Sequence, residues 1–219
     1  MYPDYCIGCN TNLLDKKGKL CVTCQATVSK TDHFEVLNND LVFRLSGRVN
    51  LQHGAALFNF IKGGSIQNAI HSLKYMNRRD IGIYFGNQFG LQLVESEIFN
   101  SPDLIIPIPL HYKREQRRGY NQSEKFAAGI SQIIKRPVAK KHLIKVEEID
   151  SQTSMNREDR FQNVLNSFKL QKKEQLSGKT ILLVDDVLTT GATIEAAFVV
   201  LSQIKDVKLQ LGLIALADG

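Results

Sequence analysis

The chain has 219 residues, 43% of them hydrophobic, and a formal net charge of +6. That is room for one main domain plus a small module, with apolar material for a sizeable core. No stretch reaches the roughly 18 apolar residues of a membrane span, and Met-Tyr-Pro-Asp-Tyr-Cys opens nothing like a signal peptide, so a cytoplasmic protein is expected. The basic balance suits an anionic partner, either nucleic acid or a small polyphosphate, and does not choose between them. Basic residues are densest from Lys113 to Arg118 and from Lys135 to Lys141. Neither stretch is a low-complexity basic arm, and no internal repeat is present.

All four cysteines, Cys6, Cys9, Cys21 and Cys24, fall in the first 24 residues with the spacing C-x2-C-x11-C-x2-C. Each pair can turn two thiolates onto one ion, and two such turns complete a tetrahedral shell suited to structural zinc. A reducing setting disfavours two disulfides, and no βαβ context precedes the motif to support a redox CxxC. Asp15-Lys-Lys-Gly18 reads as a hairpin tip between the pairs. So small a segment, taken as residues 1–30, needs the metal for its folding energy. A full set of four sulfurs leaves no open position for zinc catalysis.

From Thr27 to about Asn50 the pattern carries little signal. Ile66, Ala69, Ile70 and Leu73 then fall on one helical face, with Ser65 as a fair N-cap. Ile81, Tyr84, Phe85, Phe89 and Leu93 define a second helix over about Asp80 to Val94. On pattern alone Lys74 and His71 are ordinary solvated side chains.

Leu104-Ile-Ile-Pro-Ile-Pro-Leu110 predicts a buried strand that stops at Pro107, because proline cannot donate to a central ladder. Lys113, Arg114, Arg117 and Arg118 follow within six residues and read as a basic, mobile loop suited to clamping a polyphosphate. Asn121 and Glu124 have capping-box spacing and predict a helix to about Ile134. Thr180-Ile-Leu-Leu-Val184 predicts a central parallel strand ending in Asp185 and Asp186. The loop from Val187 to Thr193 then feeds a helix with Ile194, Ala197, Phe198 and Leu201 on one face. Backbone amides at that helix start, Gly191 for close approach, and the hydroxyls of Thr189, Thr190 and Thr193 make a phosphate cradle. Carboxylates one step earlier are acceptors for ribose hydroxyls. Phosphate donors beside ribose acceptors describe a ribose 5-phosphate site, and the segment is neither a Walker loop nor a dinucleotide fingerprint.

Val184-Asp-Asp-Val-Leu-Thr-Thr-Gly-Ala-Thr193 resembles the binding motif for 5-phosphoribosyl 1-pyrophosphate (PRPP) of type I phosphoribosyltransferases, without a gap. More narrowly, the chain resembles the ComF family of competence-protein-F-like phosphoribosyltransferases. It shares their paired cysteines, Leu73-Lys-Tyr75, Pro107-Ile-Pro-Leu110 and Arg118-Gly-Tyr-Asn-Gln122, and a later segment from Gln152-Thr153 through Arg157, Arg160, Asn163 and Phe168. It departs from them in lacking the proline often found in the first cysteine pair.

The resemblance implies an α/β fold over residues 31–219: a parallel sheet with helices on both faces, and a small hood from the N-terminal half. It implies that Thr189, Thr190, Gly191, Ala192 and Thr193 hold the 5-phosphate and Asp185 and Asp186 the ribose hydroxyls. Pro107 and Ile108 would begin the pyrophosphate turn, and Lys74, Arg114, Arg117 and Arg118 would meet the substrate. Arg118 and the two aspartates would be catalytic, with magnesium carried on PRPP. Transfer of ribose 5-phosphate to an acceptor is the leading expectation. The alternatives are a non-enzymatic DNA-uptake factor contacting single-stranded DNA or the uptake machinery, and a PRPP-sensing regulator without turnover. Tyr75 and Phe58 are candidates for stacking on an acceptor, although each reads more readily as core.

Overall fold

The structure is a computed structural model and describes residues 5–13, 18–146 and 167–217. The hairpin tip at Asp15 to Lys17 and the family-like stretch from Gln152 to Asn163 lie outside the described residues. Among the described residues six strands occur in chain order: β1 (His53–Phe60), β2 (Leu104–Pro107), β3 (Leu143–Lys145), β4 (Phe168–Leu170), β5 (Thr180–Leu188) and β6 (Lys208–Ala217). The helices are α1 (Val22–Thr27), α2 (Asp40–Leu45), α3 (Ser65–Tyr75), α4 (Arg79–Glu95), α5 (Tyr112–Arg118), α6 (Gln122–Ile134) and α7 (Ala192–Leu201).

Four strands form one parallel sheet in the order β1-β6-β5-β2, while β3 and β4 pair as a separate antiparallel ribbon. The central strands are continuous apolar runs because both of their faces are covered. On one face α3, α4 and α6 pack against Ala55, Ile105, Leu182 and Val184. On the other, α2 and α7 pack against Ile106, Ile181, Leu183 and Leu211. This is the α/β sheet with helices on both faces that the resemblance implies. Among the described residues no helix is long and apolar enough to cross a membrane.

The periodicity places α3 and α4 correctly and misses one cap. Gly64, not Ser65, is the N-cap of α3, and the Ser65 hydroxyl donates to Cys24 Sγ at 3.2 Å instead. β2 ends at Pro107 as expected. The segment from Thr27 to Asn50 includes α2, a helix of six residues capped by Asn39, whose Oδ1 accepts from Val42 N–H at 3.0 Å. Its side-chain amide donates to Gly54 O at 2.9 Å and ties the helix to β1. A helix this short offers fewer than two turns of pattern, which is why periodicity does not find it.

α4 and α6 cross in backbone contact. A Cβ on Gly86 would lie 2.7 Å from Gly129 Cα and would overlap the Phe126 carbonyl oxygen; one on Gly129 would lie 2.8 Å from Gly86 Cα. Phe89 and Phe126 meet edge-to-face beside the crossing, 5.4 Å between centroids. Gly129→Ala is therefore expected to destabilise the protein by about 3 kcal/mol through overpacking. Thermal unfolding checks this, with an expected fall in Tm of roughly 6–12 °C.

Candidate functional site

The site forms at the C-terminal end of β5. Asp185 is half-buried and Asp186 is buried. Two adjacent carboxylates leaving water need compensation, and different elements supply it. Ser123, in the first turn of α6, donates its hydroxyl to Asp185 Oδ1 at 2.7 Å, and Asp186 N–H donates to the same oxygen at 2.9 Å. Lys74 Nζ, in the last turn of α3, stands 2.8 Å from Asp186 Oδ2. Val187 N–H donates to Asp186 Oδ1 at 2.8 Å. Burial and then the Asp186 charge push the Asp185 carboxyl up to about 7, with Ser123, the Asp186 amide and Lys74 pulling the other way.

Lys74 is thus an ion-pair partner with only a quarter of its side chain exposed, and the solvated lysine that its local pattern suggests is corrected by Asp186. No helical period could reveal a partner 112 positions away.

Beyond β5 the chain exposes Thr189 and Thr190, buries Gly191 and half-buries Ala192 and Thr193. Gly191 sits at φ 89°, a left-handed conformation that side-chain-bearing residues rarely adopt, and acts as the N-cap of α7. It brings no side chain to cap the helix, so the first amides of α7 are left to an outside acceptor. The turn after β2 lies alongside: Ile108 N–H donates to Val184 O at 2.9 Å, and Asn121 Nδ2 donates to Ile108 O at 2.9 Å. Asn121 also caps α6, accepting from Ser123 N–H at 2.9 Å, so one side chain registers Pro107–Leu110 against the helix carrying Ser123. Glu124 does not complete a capping box; it pairs with Lys140 at 2.8 Å. Pro107, Pro109, Leu110, Asn121, Glu124 and Lys140 contribute to the wall of a cleft of about 310 Å³.

The basic stretch differs from expectation. Residues 112–118 form the short helix α5 rather than a loop, closed by Gly119 in the left-handed conformation. Arg114 and Arg117 stand exposed on it, and neither takes part in the aspartate pairings just described. Arg118 turns toward α3: its guanidinium lies 5.6 Å from the Tyr75 ring centroid, and it donates to Gln122 Oε1. Phe58 is core, as its pattern suggests, but Tyr75 is 65% exposed and stacks against His71 at 4.9 Å. Sequence reading also misses Ser123, Arg44 and Arg48. The two arginines donate to carbonyls of the Thr189–Thr190 loop from more than 140 residues away.

The four cysteines converge, with every Sγ within 4.8 Å of the others. Sulfurs about 2.3 Å from a shared ion stand roughly 3.8 Å apart in a tetrahedron, and Cys9 Sγ and Cys21 Sγ are separated by 3.6 Å. Backbone N–H groups of Gly8 and Cys21 point at Cys6 Sγ, and that of Cys24 at Cys21 Sγ, as suits sulfurs holding negative charge. Burial pushes the Cys24 thiol up to about 12, while the Thr11 hydroxyl and amide bring Cys9 down to about 6. A cation among them would hold all four as thiolates. The cluster is seated on α3: Asn68 Nδ2 donates to Gly8 O at 2.8 Å, and Cys6, Ile7, Leu20 and Cys24 share a core with Ile66 and Ile70.

Because folding raises the Asp185 pKa from an ordinary carboxylate value to about 7, the folded chain binds more protons than the unfolded one between these limits. The contribution of this group to stability therefore falls as pH rises from about 4 to about 7, by at most about 1.4 kcal/mol per pH unit. Asp185→Asn cannot titrate. Its stability relative to the wild type, followed by urea unfolding, should climb across that window and level off above it.

A family model, the phosphoribosyl transferase domain, matches residues 82–219. Competence protein F of Haemophilus influenzae is 27% identical over 200 residues, covering 86% of this chain and 86% of that protein. DNA utilization protein YhgH of Escherichia coli O157:H7 is 29% identical over 128 residues, 57% of this chain, and the chain spans only 56% of that protein's length. Among solved structures, the glutamine PRPP amidotransferase from B. subtilis complexed with ADP and GMP aligns at a TM-score of 0.45 and 16% identity, over 66% of this chain and 30% of that one. With the aspartate pair, the capless helix start and the family match all falling on the same segment, the chain belongs to the phosphoribosyl transferase domain family.

Proposed function

We propose that the chain binds PRPP at the end of β5 and transfers its ribose 5-phosphate group to an acceptor, releasing pyrophosphate. The observation that carries this reading is the adjacency of two partnered carboxylates and an uncapped helix start within a phosphoribosyl transferase domain. Thr189, Thr190, Gly191, Ala192 and Thr193 hold the 5-phosphate, and Asp185 and Asp186 accept from the ribose hydroxyls. Pro107 and Ile108 shape the pyrophosphate turn. Magnesium arriving with PRPP offsets pyrophosphate charge.

As the bond from C1 to the pyrophosphate oxygen breaks, positive charge grows on the sugar and negative charge on the leaving group. The aspartates favour the former electrostatically. Arg118, Arg114, Arg117 and Lys74 favour the latter. The rest is positioning. In the N-terminal module, zinc is the ion that fits four closed thiolates, in a structural role.

A second reading has its own support. Relatives bear the names competence protein F and DNA utilization protein, and the exposed Tyr75 beside Arg118 is the kind of aromatic and cationic surface on which unpaired bases stack. In this reading the site binds PRPP or single-stranded DNA without turnover, as a DNA-uptake factor or a PRPP-sensing regulator.

Pyrophosphate release from PRPP and Mg²⁺, screened against free bases, amines and nucleic acid, separates the two. Release should fall at least about 100-fold in Asp185→Asn/Asp186→Asn; release unchanged in that variant sinks the site assignment. PRPP binding without release under any acceptor, together with single-stranded DNA affinity that drops steeply with salt, selects the second reading. Elemental analysis should find one zinc per chain, lost in Cys6→Ser/Cys24→Ser, with a lower Tm after chelation.

A further inference from the structure

The 5-phosphate loop has a back as well as a front, and the back is held by residues outside the segment that matches the family. Arg44, on α2, forks across two elements: Nη1 donates to Ala217 O at the end of β6, and Nη2 donates to Thr189 O. Arg48, just beyond α2, donates from Nη2 to Thr190 O at 3.3 Å and forms an ion pair with Glu195 Oε1. α2 itself is fixed by Leu41 and Leu45, both fully buried among the residues beneath α7. Both arginines lie well before residue 82, where the family match begins.

A trans peptide sets the consequence. In each planar unit the C=O and the following N–H point in opposite directions. Arginines that capture the carbonyls of Thr189 and Thr190 therefore aim the amides of Thr190 and Gly191 away from α2. Among the described residues neither amide donates to a backbone acceptor. Two neighbouring carbonyls turned back and two amides turned out form an anion-binding concavity, and the guanidinium charges behind it deepen its positive potential.

Glu195 makes the second half of the case. It is an acid in the first turn of α7, where an incoming phosphate would meet its charge. Its side chain is only 17% exposed, and Oε1 would be 3.0 Å from a Cβ on Gly191. Arg48 is the cation placed to cancel it.

We infer that Arg44 and Arg48 are positioning residues for the 5-phosphate: they hold the loop carbonyls so that its amides face the anion, and Arg48 also neutralises Glu195. This rests on the ribose 5-phosphate reading of the loop, and it adds that the N-terminal half of the chain builds the site from behind.

The test is calorimetric titration of the full chain with two probes, ribose 5-phosphate and inorganic pyrophosphate with Mg²⁺. The wild type binds both. Arg44→Ala and Arg48→Ala should each weaken ribose 5-phosphate about tenfold, the scale of one lost charge-assisted hydrogen bond, while pyrophosphate affinity changes by less than about twofold. Adding Glu195→Gln to Arg48→Ala should recover part of the loss, which a purely structural role of Arg48 would not produce. Arg44→Lys keeps the charge but not the two-pronged fork, and should fall between wild type and alanine; it carries the test if the alanine variant does not fold. Unchanged ribose 5-phosphate affinity in the variants, equal losses on both probes, or no recovery with Glu195→Gln overturns the inference and leaves the site reading standing. A wild type that binds pyrophosphate but not ribose 5-phosphate overturns the site reading, and this inference with it.

Discussion

Two neighbouring carboxylates must be taken out of water at the end of one strand, and much of the surrounding architecture answers that demand. Coulomb repulsion between Asp185 and Asp186 and the loss of hydration act in the same direction, toward protonation. Two separate helices of the same layer resist it, α6 with a hydroxyl and α3 with an ammonium. Removing Lys74 would leave Asp186 a buried charge with no counterpart, which is the costly case for a buried ion, and removing Ser123 would take one of two donors from Asp185. The α3–α4–α6 layer is thus both the cover of the sheet and the electrostatic support of its polar edge.

That layer also joins the two ends of the functional chemistry. α3 begins against the cysteine cluster, through Ser65 and Asn68, and ends at Lys74 beside Asp186. Cysteines and helix share one hydrophobic cluster, so the N-terminal residues are part of the packing that places α3. The opposite face of the sheet has the matching arrangement, with Arg44 of α2 and Arg48 just beyond it presenting cations to the loop that follows β5.

The strand, the paired acids, the loop and α7 were legible because their signals are local: an apolar run, a glycine, hydroxyls and a helical face within about 20 consecutive residues. The cysteine spacing was legible for the same reason. β5 runs on to Leu188, past the two aspartates at which the pattern ends it, because its ladder with β6 continues through Val187 opposite Ala215 and Leu188 opposite Leu216. The basic residues from Lys113 read as a mobile loop, yet Tyr112 to Arg118 form one helix; charge says little about backbone conformation when lysine, arginine and glutamate are all fair helix formers. Tyr75 reads toward the core, but it follows the buried Leu73 by two residues, about 200° round α3, and so lies on the opposite face. The partners of Lys74, Ser123, Arg44 and Arg48 are set by tertiary folding across 62 to 173 positions, and no local pattern encodes them.

The glycine crossing of α4 and α6 has a mechanical side. Ser123 lies six residues before Gly129, about 9 Å along the helix axis, so its hydroxyl takes its position from a place where two backbones touch with no side chain between them. Side chains can yield by changing rotamer; backbone against backbone cannot. The 2.7 Å contact between Ser123 and Asp185 therefore inherits the stiffness of that crossing. Tolerance at the site is set two turns away, by atoms that take no part in its chemistry.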